Sequence, residues 1–348
     1  MAAAAIPQHT EVAPLVFTQV EEERVRDYFT KLVAKTATGI ALHPLTVAKT
    51  LMQIGHEPYP LTTGKVFVFL GREAYFLPNA LQYLKNLYNE AGLTTLFTGL
   101  DAGILSSLTG GATAFALELY LDRYFPDVGG AYQEVKKEED ELTDHESFRL
   151  KLRQAVRATI YTSAGLIISR PLTVVMIREI AQLVGRETKY NSVISALYSI
   201  GFEEGPRGFF SGLVPALIAQ GITIWGTFAL TYVLERGLLR ATRDNPDPEN
   251  ARKTYTDTRK VLNVILPIFV NSFSYPFSVI STVMSLNGSG LAVSLLPYSP
   301  AFNYWGDAYD YLKPHGLVRG ARLFLREQKG AVSVGHDHGL YASNKHFI

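Results

Sequence analysis

The sequence predicts an all-α membrane protein assembled from three related units, and three observations carry that prediction. Between Lys260 and Asp307 there is no charged residue; residues 209–234 form a second such run, and residues 158–177 a third that only Arg170 interrupts. A helix needs roughly 20 predominantly apolar residues to cross a bilayer, so each run is long enough. Three prolines open the same short pattern, HPLTVAK at Pro44, RPLTVVMIR at Pro171 and YPFSVIS at Pro276. Two of the units also close alike, EAGLTTLFTGL at residues 90–100 and EEGPRGFFSGL at residues 203–213. Self-similarity on the scale of roughly 100 residues marks a repeat architecture.

The first span is expected over about residues 25–53, with Pro44 inside it and Lys31, Lys35 and Lys49 at its flanks or facing protein. A lysine at the centre of a bilayer costs about 2.5 to 3.5 kcal/mol, so these must snorkel, line a cavity or find partners. Residues 66–89 mix aromatic and apolar residues with Arg72, Glu73 and Lys85, which suits a helix lying at the interface. The second span, residues 99–120, carries Asp101 and Glu118, both expected to pair with Lys or Arg, and small residues such as Gly103 and Gly110 that let helices approach closely.

A charged block at residues 126–153 reads as a linker. The third span covers about residues 154–182 and bends at Pro171; an amphipathic stretch follows, with Tyr190, Ile194, Leu197 and Tyr198 expected on one face. The fourth span runs over residues 209–234, an exposed loop over 243–259, and the fifth span over 261–286 around Pro267 and Pro276. Beyond it the repeat fails. Gly316 and Gly320 echo the closing pattern, but residues 321–348 hold no apolar run of spanning length. Residues 291–305 are too short and too rich in Pro, Ser and Gly to cross, and read as re-entrant or interfacial. The organisation is therefore a tail at 1–24, units at 25–125, 154–241 and 261–320, connections at 126–153 and 242–260, and a polar tail at 321–348.

Formal charge of +1 supplies no basic field of the kind nucleic-acid binding requires. Absence of cysteine excludes disulfides and thiol chemistry. Glu11, Glu21, Glu22 and Glu23 near the start fit neither a secretory nor a matrix-targeting segment. No catalytic constellation, metal site or cofactor is expected: His336 and His338 lie in a tail that reads as unstructured, and two histidines without a third ligand make a weak metal site.

A proline-bent helix, an interfacial helix and a second span closed by an acid, a glycine, an aromatic residue and a glycine together resemble the mitochondrial carrier family over about residues 38–327. The segment PYSPAFNYW narrows the resemblance to its divergent carrier-homolog branch. The implied fold is a carrier-like bundle of three pseudo-repeats with five transmembrane helices, the sixth missing, plus interfacial amphipathic helices. Transporting carriers resemble PxDxxKxR or PxExxKxR after each bent helix, their acids and bases pairing to close a gate. Here the acid positions hold Thr46, Thr173 and Ser278, and the base positions Lys49, Met176 and Ser281. No gate pair survives, which argues against alternating access of that kind.

Groove or client-binding roles are expected for Lys49, Arg178, Gln220, Asn263, Asn271 and Tyr275. Lys49 either faces a water-filled groove or snorkels to an interface. Arg178 falls on a basic position of the family pattern, whereas Arg170 suits a residue that caps free carbonyls at a helix break. Gln220 either lines the groove or makes an interhelical hydrogen bond. Asn263, Asn271, Ser274 and Tyr275 give the fifth span a polar stripe. The resemblance implies the mitochondrial outer membrane, lipids and tail-anchored or other helical clients as partners, and docking of pro-apoptotic proteins. An insertase that could also scramble lipid is one expectation; a solute transporter with a divergent gate and a membrane receptor or scaffold are the alternatives.

Overall fold

Apolar runs broken by charge blocks become long helices in the computed structural model, which describes residues 19–66, 71–130, 142–243, 248–294, 302–314 and 316–342. Helix α1 spans Gln19–Gln53 and keeps Pro44 inside it. It is followed by a hairpin of β1 (Thr62–Lys65) and β2 (Glu73–Phe76), then α2 (Ala80–Ala91) and α3 (Leu100–Tyr124). Helix α4 (Asp144–Ala181) contains Pro171; short α5 (Val193–Glu203) and α6 (Pro206–Phe209) lead into α7 (Leu213–Arg243). Helix α8 (Pro248–Ser285) carries both Pro267 and Pro276, and α9 (Trp305–Leu312) follows it. The chain closes with β3 (Glu327–Gln328), β4 (Val332–Val334) and β5 (Leu340–Ala342).

Local chemistry sets several of these boundaries. Asn79 accepts from the Gln82 amide and Gln82 answers to the Asn79 amide, a capping box that starts α2 directly after Pro78. The interfacial helix expected from residue 66 is thus confined to Ala80–Ala91, because Glu73–Phe76 pairs as a strand; residues 67–70 lie outside the described residues. Thr143 and Glu146 form a second capping box, so the charged block ends in the first turns of α4 rather than in a linker; residues 131–141 lie outside the described residues. Helix α8 likewise begins at Pro248, inside the expected loop, where the fixed φ of proline suits a first turn.

Among the described residues, α1, α3, α4, α7 and α8 are the long helices, and all but α1 are both long and apolar enough to cross a membrane. Helix α1 is long enough, at 35 residues, but dilutes its apolar content with an exposed Asp27–Lys31 pair and with Lys35 and Lys49. Each helix packs on the next in the order α1, α3, α4, α7, α8. Tyr28 of α1 stacks on Phe115 of α3 at 4.0 Å, and Arg24 pairs with Glu118 and Asp122. Helices α3 and α4 cross at glycines: a Cβ on Gly165 would stand 2.5 Å from the Gly110 carbonyl oxygen. Lys151 of α4 and Arg259 of α8 both bind Glu235 of α7.

The result is an open arc of five helices. Its two edges, α1 and α8, converge at their C-terminal ends, where the main core lies beneath Leu51, Val174, Ile180 and Tyr83. Helix α5 rests there on Val193, Ala196 and Ile200, while Ile194, Tyr198 and Phe202 project outward. The single face expected for Tyr190, Ile194, Leu197 and Tyr198 is therefore divided: Tyr190 is buried and Leu197 packs on the core.

The C-terminal tail, expected to be unstructured, is folded as far as residue 342. Strand β3 adds to β2, β4 pairs with β5 across the turn holding His336 and His338, and the Asp337 carboxylate accepts from the Gly339 amide and the Tyr341 hydroxyl. Residues 292–294 form one 3-10 turn, and residues 295–301 of the expected re-entrant piece lie outside the described residues.

Candidate functional site

The edges of the arc meet at one small polar cluster. Lys49 of α1 holds its ammonium 5.3 Å from the centre of the Tyr275 ring on α8, a cation–π contact, and among the described residues no ion pair to Lys49 is formed. Gln53, one turn beyond Lys49, donates through Nε2 to the Tyr275 hydroxyl at 3.2 Å and accepts through Oε1 from Thr282 at 3.1 Å. The Tyr275 hydroxyl donates onward to the Arg319 carbonyl at 2.7 Å. Polar groups joining α1 to α8 are therefore a lysine, an amide and two hydroxyls.

Toward the N-terminal half of α8 the seam opens. Asn263, Ser274, Ser278 and Ser281 fall on one helical stripe by the 3.6-residue period. Its lower end is packed, Ser281 donating to the Gly212 carbonyl at 2.8 Å. Asn263 and Asn271 are exposed, as are Val264 and Ile268 beside them. Asn263 lies 12 residues before Tyr275, about 18 Å along the axis. The candidate site is thus the α1–α8 junction, with the Lys49–Tyr275 cluster at its packed end and the exposed Asn271 and Asn263 farther along α8.

Not every residue expected in the groove is found there. Arg178 is fully buried at the closed end, ion-paired with Glu204, donating to the Ser285 and Asn287 carbonyls and to Tyr190. Arg170 donates to the Ser211 and Ser281 carbonyls and to the Ser285 hydroxyl, holding α4 against the starts and ends of its neighbours. Gln220 donates to Thr162, joining α7 to α4 through an interhelical hydrogen bond. Thr173, in a family acid position, shares a 2.7 Å hydroxyl contact with Ser106 of α3. Glu118 pairs with Arg24 as expected, whereas Asp101 lies against another acid, the buried Glu179.

Sequence reasoning missed Gln53, Thr282 and Arg319. A signal existed for Gln53 alone: it follows Lys49 by four residues and so shares its face. Beyond the Lys49–Tyr275 cluster, Glu57 and Arg326 form a buried ion pair, and Arg326 also donates to the Pro78 carbonyl at 2.8 Å. His56, in the same turn, is held by burial at a pKa of about 4, so it stays neutral. A separate pocket of about 380 Å³ lies at the far side of the closed end, between Arg207, Phe210, Asn287 and Trp305.

An arc of long apolar helices, proline-interrupted in each of its repeating units, with short helices at one end, defines a carrier-like all-α protein of membranes. Residues 21–128 and 152–241 match the mitochondrial carrier protein family, and the chain belongs to that family. It is 31% identical to mitochondrial carrier homolog 1 of Mus musculus, over 82% of this chain and 72% of the relative. It is 29% identical to mitochondrial carrier homolog 2 of Homo sapiens, over 86% of this chain and 94% of the relative. Similarity extends more weakly to mitoferrin of Dictyostelium discoideum, 24% identical over 72% of this chain and 74% of the relative. The protein is a multi-pass mitochondrial membrane protein of the carrier-homolog branch.

Proposed function

We propose that this protein inserts helical membrane proteins, tail-anchored ones in particular, by offering a polar flank a hydrated path beside α1 and α8. The observation that carries this reading is the open seam, with Lys49 at its floor and Asn271 and Asn263 along its wall. A polar group entering hydrocarbon without partners costs several kcal/mol, and hydrogen-bonding side chains in a groove lower that cost. The client's own apolar helix supplies the driving force, so neither a bond-making step nor a cofactor is required. Met176, Ser281 and the hydroxyls at Thr46, Thr173 and Ser278 support the same reading, since a charge-paired gate cannot form from them.

The proposed setting is the outer membrane, where the groove could also pass lipid head groups and the exposed surface dock pro-apoptotic proteins. The similarity to mitoferrin favours a second reading, exchange of a small solute through a divergent gate. Reconstituted liposomes separate the two. Lys49→Glu is expected to reduce insertion of a tail-anchored substrate severalfold; purified protein that accelerates solute exchange but neither insertion nor lipid flipping would favour the second reading and remove the first.

A further inference from the structure

We propose that the side of α1 turned toward α8 receives a client's polar flank and that its lysines select flanks carrying carboxylates, a proposal that rests on the insertase reading and names its class of client. Between Arg26 and Leu42, α1 is exposed except at Tyr28, Leu32 and Thr36. The first two meet α3: Tyr28 stacks on Phe115, and a Cβ on Gly111 would stand 2.8 Å from the Tyr28 hydroxyl and 3.6 Å from a Leu32 methyl. Lys31 and Lys35 lie to one side of that contact. Each is followed 18 residues later, five helical turns on, by a residue that touches α8: Lys49 over the Tyr275 ring, and Gln53 between the Tyr275 and Thr282 hydroxyls. Phe29, Val33 and Ile40, two or nine residues from Lys31 and so about half a turn round, make up the exposed apolar side.

Contacts with α3 fix the depth of these lysines. The two helices run antiparallel, Tyr28 level with Phe115, Leu32 with Gly111 and, farther down, His43 bonded to the Thr98 carbonyl at 2.9 Å. Lys31 and Lys35 therefore stand level with about residues 108–112, the middle of the apolar stretch Thr94–Tyr124 that is long enough to span. A lysine at that depth keeps its charge only beside water or an anion. Its own chain supplies little. Asp27 pairs with Lys31 at 2.6 Å, and among the described residues no ion pair to Lys35 or Lys49 is formed. Residues 102–117 of α3, 213–234 of α7 and 261–285 of α8 hold no charge, and residues 158–177 of α4 only Arg170. Glu118 and Asp122 are engaged by Arg24 and Arg157. This side of α1 is thus cationic apart from Asp27 at its upper end, and a carboxylate complements it. Length favours a peptide over a lipid head group: Lys31 to Lys49 is about 27 Å of helix, which an extended segment of about eight residues matches.

The chain has no cysteine, so single cysteines can report contact on the full-length protein in phosphatidylcholine liposomes. The probes are three peptides that share one apolar helix and end in a cysteine-bearing flank of glutamates, glutamines or lysines. Thr38→Cys, seven residues after Lys31 and on its side, is compared with Val33→Cys on the apolar side. Thr38→Cys is expected to form a disulfide with the glutamate flank about fivefold more than with the lysine flank, the order that exposed ion pairs supply. That preference should shrink in salt of about 0.5 M and reverse when Lys35→Glu is added. Equal cross-linking of the three flanks, a preference for lysine, or cross-linking at Val33→Cys as strong as at Thr38→Cys would overturn the proposal. So would no cross-link at either position; contact of Thr38→Cys with head-group-labelled lipid would then give this side to lipid phosphates. Protection of the flank from external protease is followed separately. Acid-selective cross-linking without protection removes the insertase reading alone, and protection without acid preference removes this proposal alone.

Discussion

Helix α8 meets its neighbours in two opposite ways. Against α4, its last turns are held by Arg170 and Arg178, fully engaged with the Ser281, Ser285 and Asn287 carbonyls, the Ser285 hydroxyl and Glu204. Against α1, the polar contacts are one lysine over a ring and one glutamine between two hydroxyls. Charge-assisted bonds in a dry setting are strong and directional, while neutral bonds are individually worth about 0.5 to 1.5 kcal/mol. The family's gate pairs are lost at both junctions. One junction has been rebuilt as a charge-assisted clamp and the other is held by a lysine, an amide and two hydroxyls.

Breaking the clamp should have the largest effect. Arg178→Ala leaves Glu204 and several carbonyls without their partner, so unfolding in detergent should be easier by about 3 to 5 kcal/mol. A variant as stable as the parent would mean that the closed end is not the rigid member of the comparison.

A pH experiment sharpens the weak side. His56 lies in the turn after α1, and its pKa is depressed from 6.5 to about 4 by burial. Stability from keeping it neutral is therefore present above pH 6.5 and lost as pH falls toward 4, amounting to about 3 kcal/mol. His56→Gln should remove that part of the acid sensitivity; identical pH profiles for parent and variant would refute it. Smallest is Gln220→Leu, which deletes the α7–α4 bond to Thr162. It should cost about 0.6 kcal/mol and leave insertion unchanged, because Gln220 is tied inside the arc and not along the seam.

Much of the fold was legible in sequence because each feature is local. The apolar runs became helices, and Pro44, Pro171 and Pro276 fall inside α1, α4 and α8. The errors are also local in origin. Composition marked residues 248–259 as loop, yet a proline at the first helical position starts α8 early. Strand pairing of Glu73–Phe76 with both Thr62–Lys65 and Glu327–Gln328 took residues away from an expected helix, and the second of these partner strands comes from far along the chain.

The site was legible only in part. Lys49 and Tyr275 could be singled out as polar residues in apolar surroundings, but their contact joins the first unit to the third. Arg178 looked equivalent to Lys49, since each is a cation on a family basic position. Glu204 separates them: it reaches Arg178 from the loop between α5 and α6, and no acid reaches Lys49 among the contacts described.

By itself the sequence determined a repeated, proline-broken membrane frame without gate pairs, because hydrocarbon forces backbone bonds to be satisfied within each helix and so makes the frame a local property. Tertiary structure alone decided which polar residues are clamped and which meet at the α1–α8 junction, and that residues 320–328 fold back against α1, α2 and β2. Pairing energies depend on groups brought together from distant parts of the chain, and a buried arginine with its glutamate behaves oppositely to a lysine set over a tyrosine ring.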